Sequence, residues 1–317
     1  MKFDRQTSSQ NLKQNQVVKG MGLMIVAMLM LPFMDAIAKT LTLNFDVSAG
    51  QTTFGRFLVQ ACLMGAVIVV SHGWRALLPS QLWLNLLRGA LMSLAVMIFF
   101  ATLRYMPIAD ALAVFFLEPF ILTIMSALLL KETVGWRRRI AVVVGFIGAL
   151  FIIQPSYAVF GAVSLMPICT AFLFACYLTL TRAMASKDSV LTMQFAAGVG
   201  GVITLGVTVT LATMIGWDDF SSPSFPEFGI RWGLIFAIGC IATIGHLLVV
   251  TAFRMVSAST LAPFQYLEII PGVVLGYWLF DDLPDFYKWL GIAIIVLSGI
   301  YLFFRERTVA KEEGAFD

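Results

Sequence analysis

A carboxylate inside an apolar, membrane-length segment is the feature that most constrains how this chain can fold. Residues 108–130 are apolar enough and long enough to cross a bilayer, yet they carry Glu118, followed at once by Pro119. A charged side chain at that depth is costly and normally faces the protein interior or a water-filled cavity. The segment therefore predicts a transmembrane helix that presents a polar group to the inside of a helical bundle.

The same arrangement recurs 150 residues later in the chain. Each copy has a cation before the helix, a carboxylate within it and an acid after it. The aligned pairs are Arg104 and Arg254, Glu118 and Glu268, and Glu132 and Asp282. Three polar landmarks that align without a gap predict an internal repeat.

The composition places this repeat in a polytopic membrane protein, because 60% of the 317 residues are hydrophobic and only 12% are charged. Soluble proteins are about 25% charged.

The sequence predicts an all-α protein with ten transmembrane helices, at about 20–40, 52–71, 82–102, 108–130, 137–154, 159–181, 190–215, 230–252, 258–279 and 286–304. We expect a polar tail at 1–19, five-helix repeats at 20–154 and 159–304, and a charged tail at 305–317. The first apolar run is too long for a signal peptide, so it is interpreted as the first span.

The positions of Lys and Arg indicate the orientation, because cytoplasmic loops carry an excess of these residues. An N-terminus in the cytoplasm puts fifteen cations in the inner segments and three, Arg104, Arg231 and Lys288, in the outer ones. Both termini are therefore expected in the cytoplasm. Since each repeat has five spans, an odd number, the two repeats are expected to be inverted relative to each other. Inverted repeats are typical of secondary transporters, which bind their substrate near the middle of the membrane.

Several classes of function lack support in the sequence. No basic cluster interleaved with aromatic residues indicates nucleic-acid binding. The four cysteines, Cys62, Cys169, Cys176 and Cys240, have no CxxC spacing and are interpreted as small core residues. We expect neither a metal site nor a cofactor. There is no phosphate-binding GxxxxGK[ST] motif, and no HExxH or GxSxG motif of a hydrolytic enzyme.

The fourth and ninth spans, with the segments that follow them, carry the resemblance to a known family. They run from Ala111 to Glu132 and on to Gly145-Phe146-Ile147-Gly148, and from Ala262 to Glu268 and on to residues 280–285 and Gly291. This pattern resembles the EamA branch of the drug/metabolite transporter superfamily, and the second stretch is similar to bacterial members described as S-adenosylmethionine or riboflavin carriers. The resemblance implies an inner-membrane protein with a central cavity lined by spans 1, 3, 4, 6, 8 and 9.

Glu268 is the first candidate for substrate or proton binding. At helical spacing its neighbours include Gln265 and the small residues Gly272 and Gly276, which are typical of helix–helix contact. The alternative is a structural carboxylate paired with Arg or a hydroxyl group. Tyr266 belongs to a set of aromatic residues that could stack on a ligand or simply pack in the bundle. The other members of that set are Phe115, Phe116, Phe264 and Trp278.

Glu118 has the same position in the other half, but its helical neighbours are apolar. It is either a group that gains and loses a proton during transport or a neutral acid bound to the backbone. Asp35 and Lys39 lie four residues apart, in the order that favours a helical ion pair. They are either such a self-neutralised pair or ligands of the substrate.

Arg88, Arg56 and His246 complete the candidates. The planar fork of Arg88 could bind a carboxylate or phosphate of the substrate, pair with Glu118, or extend to the surface. Arg56, at the start of the second span, is interpreted as an anchor at the outer edge of the membrane. His246 lies in the eighth span, where it is either a packed core residue or a group that titrates near neutral pH.

The sequence therefore predicts a secondary, non-ATP transporter of a small organic metabolite, such as an amino acid, a vitamin or an S-adenosylmethionine-like solute. Its expected partners are the solute and the lipid bilayer. Transport with or without a coupled proton is compatible with the sequence, and the sequence does not predict the oligomeric state. The alternatives are a flippase for lipid headgroups, a non-transporting membrane protein and an intramembrane enzyme.

Overall fold

Helices account for every regular element in the part of the chain that the computed structural model describes, which is residues 2–132, 135–221, 229–282, 285–287, 289–294, 297–298 and 300–301. The helices are α1 (Lys2–Phe45), α2 (Ala49–His72), α3 (Leu82–Thr102), α4 (Ile108–Phe115), α5 (Glu118–Leu129), α6 (Trp136–Phe160), α7 (Met166–Met184), α8 (Val190–Ile215), α9 (Ile230–Met255), α10 (Ala258–Leu261) and α11 (Ile269–Phe280). Short 3-10 helices cover Trp74–Leu77, Gly161–Leu165 and Ala262–Glu268. The prediction of an all-α protein is confirmed.

Seven segments are long and apolar enough to cross a membrane within the described ranges. They are Gln16–Phe45, Ala49–His72, Leu82–Thr102, Ile108–Leu129, Gly161–Met184, Val190–Ile215 and Ile230–Met255. They match predicted spans one to four and six to eight. Shorter apolar helices, Arg139–Gly148 and Phe264–Phe280, lie in the fifth and ninth predicted spans. The tenth extends into residues 302–304, outside the described ranges. The protein is therefore a multi-pass membrane protein.

The two spans that carry the repeated carboxylates are interrupted at those carboxylates. α4 ends at Phe115 and α5 begins at Glu118. In the second copy, a 3-10 helix ends at Glu268 and α11 follows. Ile108–Leu129 still forms one membrane-length span, so the break is local to the carboxylate. Pro119 stands in the first turn of α5, where its missing N–H costs no helical hydrogen bond, so it starts a new helix rather than bending an old one.

The two interrupted spans end in the same way. The Glu132 amide donates to the Ser126 carbonyl at 3.2 Å. The Asp282 amide, 150 residues later, donates to the Gly276 carbonyl, also at 3.2 Å. The residue before each of these acids has a left-handed backbone, with φ of 54° and 57°. This closure satisfies carbonyls that the last turn of a helix leaves unpaired. The repeat thus extends from the sequence to the backbone.

An ion pair fixes the end of the second interrupted span. Lys39 Nζ lies 2.8 Å from Asp282 Oδ2, and it also donates to the Met106 carbonyl at 3.4 Å. Met106 precedes α4 and Asp282 follows α11, so the start of one interrupted span lies beside the end of the other.

A second ion pair does the same for the first interrupted span. Arg182 Nε lies 2.9 Å from Glu132 Oε1, and Arg182 Nη1 donates to the Phe253 carbonyl at 2.6 Å. Glu132 follows α5 and Phe253 precedes α10. The two interrupted spans therefore run antiparallel, and each of these ion pairs links the ends of three segments on one side of the bundle.

Two aspartates tie helix ends together outside the spans. Asp219, after α8, accepts from Arg104 at 3.1 Å and from Tyr105 at 2.7 Å, after α3. The bond to Asp219 raises the pKa of Tyr105, with smaller contributions from burial and the Asp219 charge. Asp188, before α8, accepts from Asn85 at 3.0 Å in α3. Burial raises the pKa of Asp188, but hydrogen bonds from residues 80, 81 and 85 outweigh it, so the pKa is lowered. These contacts align α3 parallel to α8.

Close backbone contact between α3 and α8 depends on Gly89. A Cβ at this position would lie 2.3 Å from the Ala197 carbonyl oxygen, so the helices would have to separate. Gly89→Ala should therefore destabilise the protein by about 1–3 kcal/mol. Gly22→Ala is the matched control, because a Cβ there has no atom within 4 Å, and Ala is favoured over Gly in a helix by up to about 1 kcal/mol. Thermal melting in detergent should show a lower midpoint only for Gly89→Ala, and equal midpoints would contradict the close contact.

Candidate functional site

A buried cavity lies between α1, α3, α4, α7, α9 and the 3-10 helix Ala262–Glu268. These segments are the predicted spans 1, 3, 4, 6, 8 and 9, so the lining implied by the resemblance is confirmed. The cavity has a volume of about 50 Å³. Its walls are mainly Met, Leu, Val and Phe side chains, among which a few polar groups stand out. Asp35, Thr170, His246, Gln265 and Glu268 are those polar groups.

Gln265 and Glu268 line one wall together, and the 3-10 geometry explains why. Side chains three residues apart eclipse each other in a 3-10 helix, so both project in the same direction. Both are buried, with 2% and 8% of their surface exposed. The sequence correctly predicted that Gln265 lies beside Glu268. It assumed the spacing of an α-helix, whereas this segment is a 3-10 helix.

The predicted glycine contact holds for only one of its two residues. A Cβ on Gly272 would lie 2.4 Å from a methyl carbon of Leu112 in α4, so Gly272 is at a tight contact between helices. A Cβ on Gly276 would meet only Asp282, at 3.9 Å, near the end of its own helix. Gly272 therefore brings α11 against α4 beside the cavity.

Glu118 lies behind this wall rather than on it. It is fully buried, and neither carboxylate oxygen has a hydrogen bond of ordinary geometry within the described residues. It interacts with the Gln265 side chain, and it interacts electrostatically with Glu268. Glu268 also interacts with Asp35. We call Asp35, Glu118 and Glu268 the acidic cluster. Like charges gathered at this depth favour the binding of a cationic group or a proton.

Asp35 and Lys39 do not form the helical pair that was one of their two predicted roles. Lys39 instead pairs with Asp282 and lies 4.7 Å from the centre of the Phe280 ring. Asp35 faces the cavity and interacts electrostatically with Arg56. Residues four apart on a helix can still diverge when each has a better partner on another helix. Asp35 therefore stays a candidate for the substrate, and Lys39 belongs to an ion pair at a helix end.

Arg88 is fully buried, so it does not extend to the surface. Its Nη1 donates to Asn85 and to the Met193 carbonyl, both at 3.2 Å, and its Nη2 donates to Gln194 at 3.3 Å. These partners, rather than Glu118, hold the guanidinium. Arg88 does not line the cavity, but its charge reaches His246 on the cavity wall.

His246 lines the cavity, and neither ring nitrogen has a hydrogen-bond partner among the described residues. Its ring lies 6.1 Å from that of Phe174 and 6.3 Å from that of Tyr177, between ring centres. Tyr266 is also buried, but its ring packs 5.3 Å from that of Phe116 and occupies the space beside Gly145. His246 can therefore contact a ligand directly, whereas Tyr266 packs behind the wall.

The other aromatic candidates separate in the same way. Phe115 lines the cavity, whereas Phe116 and Phe264 are buried away from its lining. Trp278 is 80% exposed at the outside of the bundle, as expected for a residue that faces lipid.

Sequence reasoning missed Arg56, which was interpreted as an anchor at the membrane edge. Its side chain is fully buried, as is that of Gln60 one turn later. Thr52 and Thr53, one turn earlier, are buried too. Polar residues repeated every three to four positions along an apolar span are the signal that could have identified this inward face. The anchor interpretation is wrong because α2 turns this stripe towards the bundle.

A model of the EamA-like transporter family matches the chain twice, at residues 18–154 and 161–305. The S-adenosylmethionine uptake transporter of Rickettsia prowazekii is 26% identical over 81% of this chain and 83% of its own length. The riboflavin transporter of Vibrio cholerae is 26% identical over 88% of this chain and 91% of its own. The pseudopaline exporter of Pseudomonas aeruginosa is 25% identical over 89% and 95%. These relatives are named as transporters rather than as enzymes.

One solved crystal structure covers 90% of this chain and 99% of its own, with a TM-score of 0.65 and 18% identity. At that identity the likeness concerns the fold alone.

Proposed function

The chain belongs to the EamA-like transporter family, and from that membership we propose that it carries a small organic metabolite across the membrane without ATP. The observation that carries this proposal is the buried cavity and its acidic cluster. Its lining comes from α1, α3 and α4 in the first matched region and from α7, α9 and the 3-10 helix in the second. A site between the two repeats is the usual arrangement in secondary transporters. We assign binding of the solute to Glu268, Gln265, Asp35 and His246.

We further propose that the chain has ten transmembrane helices in two inverted five-helix repeats, at 20–154 and 159–304. The antiparallel course of the two interrupted spans supports this inversion, because equivalent segments of inverted repeats must run in opposite directions. The shared closure at Glu132 and Asp282 supports the equivalence of those segments.

The two ion pairs act as closures at opposite ends of the cavity. Lys39 with Asp282 joins α1 to the end of the ninth span, and Arg182 with Glu132 joins α7 to the end of the fourth. Both are formed at once, and the cavity has a volume of about 50 Å³. Ligand pockets commonly have volumes of about 300–1,000 Å³. The two closed ion pairs and the small cavity support an occluded state, from which opening one ion pair would expose the cavity to one side.

The family membership supports an inner-membrane location, and the Lys and Arg distribution supports both termini in the cytoplasm. Ser222, which lies outside the described residues, is expected in an outer loop, and the exposed Arg139 at the cytoplasmic face. In a variant without Cys62, Cys169, Cys176 and Cys240, a cysteine at 222 should react with an impermeant maleimide on intact cells. A cysteine at 139 should react only in inside-out vesicles. The reverse pattern would overturn the orientation.

Untargeted metabolite profiling tests the function itself. Cells that express the protein and cells with an empty vector would be compared in both cytoplasm and medium. A solute that shifts between the two compartments only with the protein identifies the cargo, and the sign of the shift gives the direction. Equal profiles, with the protein folded in the membrane, would contradict transport of a soluble metabolite.

A lipid substrate finds less support among the described residues. A groove of about 420 Å³ between α2, α8 and α9 shares no lining residue with the cavity. Its lining carries no acidic or basic side chain, and its polar side chains are Gln51, Thr210, Thr213 and Trp232. A headgroup site would require charged or strongly hydrogen-bonding partners. The groove therefore does not favour a flippase.

A further inference from the structure

Arg56 is one of the two largest fully buried side chains of the bundle among the described residues, and it has no role in the solute binding proposed above. Its side chain is fully buried. None of its three side-chain nitrogens has a hydrogen-bond partner in the described part of the chain. Its guanidinium carbon lies 4.4 Å from the centre of the Phe57 ring, which covers one face of the planar group. Burying a charge costs several kcal/mol unless its hydrogen-bond donors are also satisfied. The unsatisfied donors of Arg56 are therefore available to an anionic group.

The groups around Arg56 place it directly behind the cavity wall. Its electrostatic neighbours are Asp35, Tyr177 and His246. Asp35 and His246 line the cavity. The Tyr177 hydroxyl is buried and also lacks a hydrogen-bond partner among the described residues. Arg56 therefore interacts with two residues of the cavity wall without lining the cavity itself.

Arg88 cannot serve this purpose equally well. Its two terminal nitrogens already donate to Asn85, Met193 and Gln194, and its guanidinium stacks 5.2 Å from the centre of the Tyr177 ring. It thereby holds the ring of Tyr177, an electrostatic neighbour of Arg56. Of the two buried arginines, only Arg56 has a guanidinium group without hydrogen-bond partners among the described residues. The paired N–H donors of that planar group match two oxygens of a carboxylate or phosphate.

We infer that Arg56, with Tyr177 and His246, forms an anion subsite beside the cavity. The ligand is a solute with an oxyanion, either a carboxylate or a phosphate, and with a cationic or hydrogen-bond-donating end that faces the acidic cluster. Asp35 serves as the internal counter-ion of Arg56 when no solute is bound, and the solute's oxyanion takes its place. This inference rests on the proposed function and specifies the substrate class of the same site.

The test uses the metabolite profiles of cells that express the unaltered protein, Arg56→Gln, Arg56→Lys or an empty vector. Solutes that shift with the unaltered protein should all carry an oxyanion, and their mass spectra distinguish carboxylates from phosphates. Arg56→Gln should reduce the rate of that shift by about 30-fold or more, because a buried charged partner is left unpaired. Arg56→Lys should retain part of the rate, since it keeps the charge but loses the planar fork. Arg75→Gln is the matched control, because Arg75 is exposed beside Trp74 in the short 3-10 helix Trp74–Leu77.

The outcomes separate this inference from the proposed function. No shift with the unaltered protein would contradict transport itself. A shift of solutes without any oxyanion, or a normal rate in Arg56→Gln, would overturn the anion subsite and leave transport intact. If Arg56→Gln fails to reach the membrane as a monodisperse protein, the chemical groups on the solutes moved by the unaltered protein still decide the question.

Discussion

Glu268→Gln should abolish transport while the protein still folds and reaches the membrane. Glu268 is buried on the cavity wall, and its carboxylate shares the acidic cluster with Asp35 and Glu118. Gln keeps the shape of the side chain but removes both the negative charge and the ability to bind a proton. Loss of one partner of a buried charge pair costs about 2–5 kcal/mol, which corresponds to a rate loss of roughly 30-fold or more.

The measurement is the initial rate of solute movement in cells with matched amounts of membrane protein. Asp46→Asn is the control, because Asp46 is exposed and its left-handed backbone suits Asn. It removes a carboxylate outside the cavity and should leave the rate unchanged. Glu118→Gln should slow transport less than Glu268→Gln does, since Glu118 lies behind the wall. A normal rate in Glu268→Gln would remove Glu268 from the binding site.

Breaking either ion pair should open the cavity to one side of the membrane only. The reporter is a cysteine in place of Thr170, a buried residue on the cavity wall, in a variant without native cysteines. Asp282→Ala removes the partner of Lys39 and should increase labelling from outside the cell. Glu132→Ala removes the partner of Arg182 and should increase labelling from the cytoplasmic side. The free energy lost with each ion pair favours the open protein, and about 1.4 kcal/mol changes the ratio of open to closed protein tenfold. We therefore expect at least a tenfold increase in labelling in each case.

Exchanging the two charges provides the control for this experiment. Lys39→Asp combined with Asp282→Lys restores an ion pair across the same contact, so labelling from outside should return towards that of the parent. Labelling would be measured with an impermeant maleimide on intact cells and on inside-out vesicles. If both single variants raised labelling from the same side, the ion pairs would not be closures of opposite faces.

The sequence alone could identify the repeat because its signals are local and polar. The aligned carboxylates Glu118 and Glu268 stand out in apolar spans, and the acids that follow them mark equivalent helix ends. The cavity residues Asp35, His246 and Gln265 were found for the same reason. A polar group in a membrane span must have a partner or face a cavity, whichever helix carries it.

The remaining features depend on contacts that sequence spacing does not encode. Lys39 meets Asp282 across 243 positions of the chain rather than its near neighbour Asp35. The packing of α2 against α8 and α9 likewise depends on contacts between distant residues, although its stripe of polar residues marks the face that is buried. The 3-10 helix before Glu268 has Pro263 in its first turn, and proline lacks the N–H that would continue the hydrogen bonding of α10.

The exchange of partners between the two halves has an evolutionary consequence. Lys39 of the first half closes on Asp282 of the second, and Arg182 of the second closes on Glu132 of the first. A protein of half this length would contain one member of each pair and could form neither within a single copy. With the two repeats inverted as proposed, an ancestor encoded by a shorter gene would have needed two subunits inserted in opposite directions. Fusion of the duplicated genes would then have fixed those directions in one chain.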